Sequence, residues 1–169
     1  VTRNVHLGLQ GAKKEITIPI RVDLLIALAD EGNAAAMYEL GKEYWKKGKT
    51  QESIVWFKKA AKKKNIKACA SLAEIFIKGS AGRMEPDMTG GIKWLRKAAE
   101  LGDVRSMNGL GTYIIKGTVI GVKSEEGVKW VVKAAENGYA PAQTNVGVWC
   151  INGDLVEQNN PKAEEWLLK

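Results

Sequence analysis

The sequence predicts an all-α protein, an α-solenoid of about four antiparallel helix-turn-helix repeats of roughly 36 residues each, preceded by a half repeat. Two observations lead to this fold class. Tryptophan recurs at intervals of 38, 36 and 36 residues with similar neighbours each time. Each interval also divides into two segments that have helical periodicity. The recurring tryptophans are Trp56, Trp94, Trp130 and Trp166.

The first 21 residues do not share the repeat. Residues 16–21 alternate in a way that favours an extended arm rather than a helix. Residues 22–32 fit the second helix of a half repeat, with Leu24 in the tryptophan position and Gly32 as the stop. The solenoid therefore spans residues 22–169. Its full repeats are predicted at about 33–65, 66–102, 103–138 and 139–169.

The first helix of each repeat carries one apolar stripe. A small residue is followed by Leu or Val, then by Gly or Ala, then by a larger apolar residue. Glycine within a helix costs about 1 kcal/mol relative to alanine, so its recurrence predicts close approach of the second helix. The stripe consists of Ala36, Leu40, Gly41 and Tyr44, then Ala68, Leu72, Ala73 and Phe76, then Ser106, Leu110, Gly111 and Ile114, then Ala142, Val146, Gly147 and Cys150.

The second helices are expected to begin at polar residues and to contain a small residue three positions before the tryptophan. We interpret that tryptophan as a core wedge whose truncation costs about 3–5 kcal/mol. Gly102 and Gly138 supply a left-handed stop, and Asn65 is expected to do so in the first full repeat. The expected starts are Thr50, Asp87, Ser124 and Asn160, and the small residues are Ser53, Gly91, Gly127 and Ala163.

These positions resemble the Sel1-like repeat family, a branch of the tetratricopeptide-like helical solenoids, over roughly residues 22–169. The resemblance implies a right-handed superhelix of helical hairpins that serves as a non-enzymatic scaffold or adaptor, here for a host-facing or envelope protein of a bacterium. Small members also resemble immunity proteins that neutralise a secreted bacterial toxin. A third alternative is an enzyme or ligand-binding protein that acts on cell-wall sugars, although the cysteine pairs of that branch are missing.

The resemblance also implies that the first helices line a concave, protein-binding groove. One groove position is apolar in all four repeats, as Trp45, Ile77, Ile115 and Ile151, which suits a peptide with alternating apolar and acidic groups. The alternative is that these side chains only join successive first helices. The predicted groove residues are Tyr38, Lys42, Trp45, Lys46, Glu74, Ile77, Lys78, Asn108, Thr112, Ile115, Lys116, Thr144, Val148 and Ile151.

Catalytic chemistry has little support in the sequence. His6 is the one histidine and lies in the arm, which argues against histidine-dependent nucleophiles and metal sites. The Glu125-Glu126 and Glu164-Glu165 pairs are better explained by helix dipoles. The glycine-rich loop 79–83 lacks the preceding strand and the following Lys-Ser/Thr pair of a phosphate-binding loop. We expect no catalytic residues, no metal and no cofactor.

Charge and hydropathy bound the partners and the compartment. Ten lysines and two glutamates lie between Lys42 and Lys67, against a net charge of +7 for the whole chain. Three interpretations stay open: a solvated helix face, attraction of an acidic protein, and binding of nucleic acid or an anionic membrane. The lack of interleaved arginines and aromatic platforms speaks against nucleic acid. No apolar run is long enough for a transmembrane segment, so we expect a soluble protein of the bacterial periplasm or cytoplasm.

Two further expectations concern the cysteines and the last helix. Cys69 and Cys150 occupy core positions two units apart, and we expect buried thiols rather than a disulfide. The last helix ends early, so Trp166, Leu167 and Leu168 lack a covering unit. A longer array, another protein or end-to-end self-association would cover them, and we expect Trp166 to be the recurring tryptophan that meets a partner. Trp45 and Trp149, on first helices, are candidate surface anchors.

Overall fold

The structure is a computed structural model that describes residues 2–5, 16–19, 22–80 and 84–169. Two short strands, β1 (Thr2–Val5) and β2 (Ile16–Pro19), pair in antiparallel register. The expected extended conformation is thus found at residues 16–19, whereas Ile20, Arg21 and His6 lie outside the described residues.

All other regular elements of the described residues are helices, which confirms the all-α repeat fold. By internal contacts the chain divides into unit 1, residues 1–68, and unit 2, residues 69–169. Even-numbered helices are the first helices of the full repeats, and odd-numbered helices from α3 onward are the second helices. The helices are α1 (Val22–Asp30), α2 (Ala34–Lys46), α3 (Thr50–Lys62), α4 (Ile66–Lys78), α5 (Met88–Glu100), α6 (Val104–Ile115), α7 (Ser124–Glu136), α8 (Ala140–Asn152) and α9 (Asn160–Leu167).

In unit 1 the glycine of α2 admits an aromatic ring from α3. A Cβ atom on Gly41 would lie 2.5 Å from the Phe57 ring. The Ser53 hydroxyl, one turn earlier on α3, donates a 2.8 Å hydrogen bond to the Gly41 carbonyl. Leu40 beside them is fully buried. The predicted close approach of the second helix is confirmed here, because only a hydrogen atom at position 41 leaves room for the ring.

Unit 2 repeats this arrangement. A Cβ atom on Gly111 would lie 2.5 Å from the Gly127 carbonyl oxygen, and one on Gly147 would lie 2.7 Å from Leu167. In the repeat that has Ala73 instead of glycine, the glycine is on the second helix, where Gly91 lies against Ile77. One cluster of buried side chains runs through the unit from Ala73 to Trp166.

The tryptophans are less central than predicted. Trp56, Trp94 and Trp130 are only half-buried. The residue after each of them, Phe57, Leu95 or Val131, is 2%, 9% and 0% exposed in that order. Because successive helical residues are about 100° apart, the residue after the tryptophan is the more buried one, and Phe57 and Val131 face Gly41 and Gly111. The indole lies on the flank.

Trp166 also departs from its prediction. It is the most buried of the four, at 8% exposure, whereas Leu167 and Leu168 are 47% and 79% exposed. The expectation that Trp166 itself meets a partner is therefore wrong for this structure. The leucines after it are the accessible side chains.

The four tryptophans share another neighbour, a lysine three residues later. Its ammonium lies over the indole, one helical turn along the same face. The Nζ-to-ring distances are 4.0 Å for Lys59 on Trp56, 5.3 Å for Lys97 on Trp94, 5.3 Å for Lys133 on Trp130 and 4.0 Å for Lys169 on Trp166.

The left-handed stop of the first full repeat falls at Lys64, not at Asn65. Lys64 has φ of 60°, while Gly32, Gly102 and Gly138 have the predicted positive φ values. The Asn65 side chain instead begins α4, because its Oδ1 accepts a 2.9 Å hydrogen bond from the Ala68 amide. That capping role requires an extended rather than a left-handed backbone. The left-handed conformation is therefore adopted by the preceding residue, Lys64.

The expected helix starts are close to the observed ones. Asp87 is an N-cap, accepting from the Gly90 amide at 2.8 Å. Thr50, Ser124 and Asn160 are instead the first residues inside their helices. At α9 the capping side chain is that of Asn159, which accepts from the Lys162 amide at 3.0 Å. Of the helices in the described part of the chain, none is long and apolar enough to cross a membrane.

Candidate functional site

The predicted groove residues of unit 1 lie on α2, and three of the four are engaged within the unit. The Tyr38 ring is half-buried, with its centroid 5.6 Å from that of Phe57. Lys42 pairs with Glu39 at 2.9 Å, and that hydrogen bond raises the pKa of Lys42. Lys46 pairs with Glu43 at 3.0 Å. Trp45, at 39% exposure, is the member whose apolar surface is most open to a partner.

In unit 2 the residues at the apolar groove position differ in burial: two of them pack within their hairpins and the third is exposed. Ile77 and Ile115 are half-buried and lie against the glycines of the following helices. The Cγ1 atom of Ile115 is 2.8 Å from where a Cβ on Gly127 would be. Ile151, the equivalent residue of α8, is 44% exposed. Ile77 and Ile115 therefore join the two helices of one hairpin, a contact that the sequence reasoning did not consider.

The predicted charged residues of this unit lie at the surface of their helices. Glu74 and Lys78 form an exposed i,i+4 pair at 2.7 Å. That bond, with a smaller contribution from Tyr113 of α6, raises the pKa of Lys78. Lys116 is exposed at the end of α6. Exposed pairs of this kind contribute little to stability, so these groups remain available for contacts with a partner.

A side-chain hydrogen bond joins α6 to α8 on their accessible side. The Asn145 Nδ2 atom donates to Asn108 Oδ1 at 3.4 Å. Sequence reasoning selected Asn108 but missed Asn145, whose equivalents in the other repeats are Glu39, Ser71 and Gly109 and show no common chemistry. We name this surface the α6–α8 face, made of Asn108, Thr112, Thr144, Asn145 and Val148.

The members of the α6–α8 face differ in what they offer. Thr112 and Thr144 donate their hydroxyls to carbonyls of their own helices, at 2.8 and 3.1 Å, and keep acceptor lone pairs. Val148 is 42% exposed. Trp149, beside it, is half-buried and packs against the core cluster, so it is a weaker surface anchor than predicted. The face combines amides, hydroxyl oxygens and one accessible apolar side chain.

Sequence reasoning also missed a cleft of about 460 Å³ on α5. Ile92 and Val119 contribute apolar surface, and Lys93 and Arg96 contribute cations. The cleft is also lined by residues 118–120 of the loop that leads to α7, the helix that carries Glu126. Arg96 bonds to Glu126 at 2.9 Å, so one of the two cations is already paired.

The described residues contain no metal-ligand cluster, and their two cysteines are buried. Among the described residues no group of three or more His, Cys, Asp or Glu side chains is arranged to hold a metal ion. His6 and residues 81–83 of the glycine-rich loop lie outside that part. Cys69 and Cys150 are buried, free thiols, as expected, and burial raises the pKa of Cys69, which keeps it in the less nucleophilic form.

The repeats match a known protein family. The sequence model of the Sel1 repeat matches residues 34–65, 66–103, 104–139 and 140–169. No curated protein matches the chain. The fold is similar to that of a Sel1 repeat protein from Oxalobacter formigenes, with 26% identity and a TM-score of 0.72 over 86% of this chain and 60% of that one.

A second similar structure is a protective antigen present in uropathogenic Escherichia coli strains that displays an SLR fold. It has 27% identity and a TM-score of 0.70 over 86% of this chain and 32% of that one. The chain thus spans less than two thirds of the length of either protein. With four matched repeats that together cover residues 34–169, this chain belongs to the Sel1 repeat family.

Proposed function

We propose that the chain is a non-enzymatic scaffold or adaptor that binds a partner protein or peptide on the exposed side of its first helices. Sel1 repeat proteins are generally protein-interaction scaffolds, and this chain belongs to that family. In unit 2 the surface proposed for binding is the α6–α8 face. The observation that carries the proposal is the division of α6 and α8 into a packing side and an accessible side.

The packing side is occupied by the repeat pattern. Leu110 and Ile114 of α6 are at most 1% exposed, and Val146 and Cys150 of α8 are 3% and 2% exposed. The α6–α8 face carries residues that vary between repeats and that the core does not need. Substitutions there can change what is bound without a loss of the fold, which is how repeat arrays use one architecture for many partners.

The chemistry of the face suits a peptide backbone with an apolar side chain. Asn108 and Asn145 are linked to each other, and each amide keeps donor and acceptor capacity beyond that bond. Val148 supplies apolar surface beside them. A bound segment can therefore pair its amides with the asparagines while one of its apolar side chains covers the valine.

Affinity capture with the intact chain as bait tests this proposal. Val148→Asp places a charge where the apolar contact is proposed, so we expect it to lose the partner that the wild-type chain captures. Ile120→Asp is the matched control, because Ile120 is 96% exposed in the loop before α7 and should capture normally. Circular dichroism and melting should be the same for both variants.

Capture that is unchanged in Val148→Asp, or lost equally in both variants, contradicts the use of this face. The identity of the partner distinguishes the finer alternatives, since a secreted toxin would assign an immunity function and an envelope or host protein an adaptor function. Turnover of cell-wall fragments by the purified chain would overturn the non-enzymatic proposal.

A further inference from the structure

We infer that a second docking surface lies in unit 1, where lysines of α3 and of the start of α4 bind an acidic segment of a partner protein. This inference is independent of the α6–α8 face. We name the surface the α3 lysine face. It consists of Val55, Lys58, Lys59, Lys62, Lys63, Lys64 and Lys67.

The spacing of the lysines places four of them on one side of the C-terminal end of α3. Lys58 and Lys62 are four residues apart on α3, as are Lys59 and Lys63, so both pairs follow one side of the helix. Lys64 follows in the turn after α3, and Lys67 lies in the first turn of α4. All six lysines are exposed, as is Val55, at 51%, one turn before them.

Much of this charge has no internal partner. Lys62, Lys64 and Lys67 form no ion pair with any described residue, unlike Lys42 and Lys46 of the preceding helix. From residue 50 to residue 68 the sequence contains one carboxylate, Glu52, at the opposite end of α3. Like charges one turn apart destabilise a helix, so a face of this composition gains most from carboxylates that a partner supplies.

The details favour a protein over the other polyanions. The Trp56 indole is half-buried and carries the Lys59 ammonium at 4.0 Å, so it is not a free platform for nucleic-acid bases. Residues 22–68 contain no arginine to bind phosphates in bidentate fashion. From Val55 to Lys67 the large exposed apolar residues are Val55 and Ile66, at 51% and 37%, which is too little for the apolar face that inserts into a membrane.

The geometry specifies a partner segment. An amphipathic helix that places an apolar residue against Val55 and glutamates over the next two turns would match the α3 lysine face, because its side chains recur with the same spacing. A suitable probe is a labelled, helix-forming peptide that contains one leucine. Its glutamates lie three or four residues and seven residues after that leucine. Its matched control has glutamine in place of each glutamate.

The experiment is a fluorescence titration of the full chain with this peptide at about 150 mM salt, where long-range charge effects are screened. Variant one replaces Lys62, Lys64 and Lys67 with glutamine. Variant two replaces Lys93, Lys129 and Lys162, which are also exposed, with glutamine. Its net charge is therefore the same as that of variant one. We expect variant one to weaken binding about tenfold or more and variant two by less than about twofold.

Several results would overturn the inference. Equal weakening in both variants would mean that only net charge matters, and equal binding of the glutamine peptide would remove the role of the carboxylates. Tighter binding of duplex DNA or of phosphatidylserine vesicles at the same salt would assign the face to another polyanion. Single Lys62→Gln and Lys67→Gln variants provide the same comparison if the triple variant melts early. None of these results affects the proposed binding at the α6–α8 face, which the capture experiment with Val148→Asp tests separately.

Discussion

At the scale of single residues, small side chains decide how closely the two helices of a hairpin approach. In three repeats the glycine is on the first helix, at Gly41, Gly111 and Gly147, and a larger side chain of the second helix lies above it. In the remaining full repeat, Ala73 stands at that position and Gly91 provides the space from the other side. The helix propensity lost at each glycine is offset by packing that a methyl group would prevent.

Gly111→Ala should lower the free energy of unfolding by about 1–3 kcal/mol. Its Cβ atom would lie 2.5 Å from the Gly127 carbonyl oxygen and 2.6 Å from a Val131 methyl group, and a backbone atom cannot move aside without displacing α7. Chemical denaturation of the two proteins measures the difference.

Gly109→Ala is the matched control on the same helix. Its Cβ atom would be 3.6 Å from Leu95 at the nearest, which is an ordinary contact. The change should therefore raise stability by up to about 1 kcal/mol through helix propensity. If both alanines have the same effect, close approach at Gly111 is not what the glycine provides.

At the scale of elements, one ion pair joins the second helices of neighbouring repeats. Arg96 of α5 donates to Glu126 of α7 at 2.9 Å, with 33% and 45% of the two side chains exposed. The hydrogen bond from Arg96 lowers the pKa of Glu126, and a smaller contribution comes from the Trp130 indole on the same helix.

Glu126→Gln should lower the free energy of unfolding at pH 7 by less than about 1 kcal/mol, because the pair is partly exposed. The melting temperature should fall slightly as a result. A lowered folded-state pKa gives a stabilisation that is present above the ordinary glutamate pKa of about 4.3 and is lost as pH falls through the folded value. The gap between wild type and variant should therefore close below that pH.

The control is Glu125→Gln, which removes the neighbouring exposed carboxylate of the same helical turn. Its melting temperature should fall less than that of Glu126→Gln, because this substitution removes only an interaction with the helix dipole and no ion pair. A gap for Glu126→Gln that persists at pH 3 would mean that the substitution acts through packing rather than through the charge of the carboxylate.

At the scale of the whole molecule, unit 2 has one continuous core that no single hairpin contains. The cluster includes side chains from α4 to α9. Cys69 of α4 and Cys150 of α8 are both buried, at 0% and 2% exposure. Their reactivity therefore reports on opening of the array at two places along the chain.

Both thiols should react slowly in the native protein, and Cys150 should react faster than Cys69. Cys150 shares its core with α9, which has only eight residues, so its cover should open at lower cost than a complete hairpin. Iodoacetamide labelling followed by mass spectrometry gives the two rates. Equal rates that track global unfolding would show that unit 2 opens as one cooperative body.

Much of the fold could be predicted from the sequence because the pattern recurs. One amphipathic helix is weak information, but four copies in register separate the residues that every repeat needs from those that vary. The helices, their glycine contacts and the buried thiols follow from that pattern. Candidate binding residues were harder to predict, since variable positions are both the exposed ones and those that pack locally, such as Ile115.

The sequence by itself determined the repeat, the all-α fold and the family, because periodicity and small residues depend on local rules that act along the chain. Tertiary structure decided which side of each helix packs against its neighbours and which side is exposed. It placed Phe57 rather than Trp56 over the glycine, moved the left-handed residue to Lys64, and joined Asn108 to Asn145 across two repeats. These outcomes depend on the rotation of one helix against another, and a shift of one residue, about 100° around the axis, is enough to exchange packing for exposure.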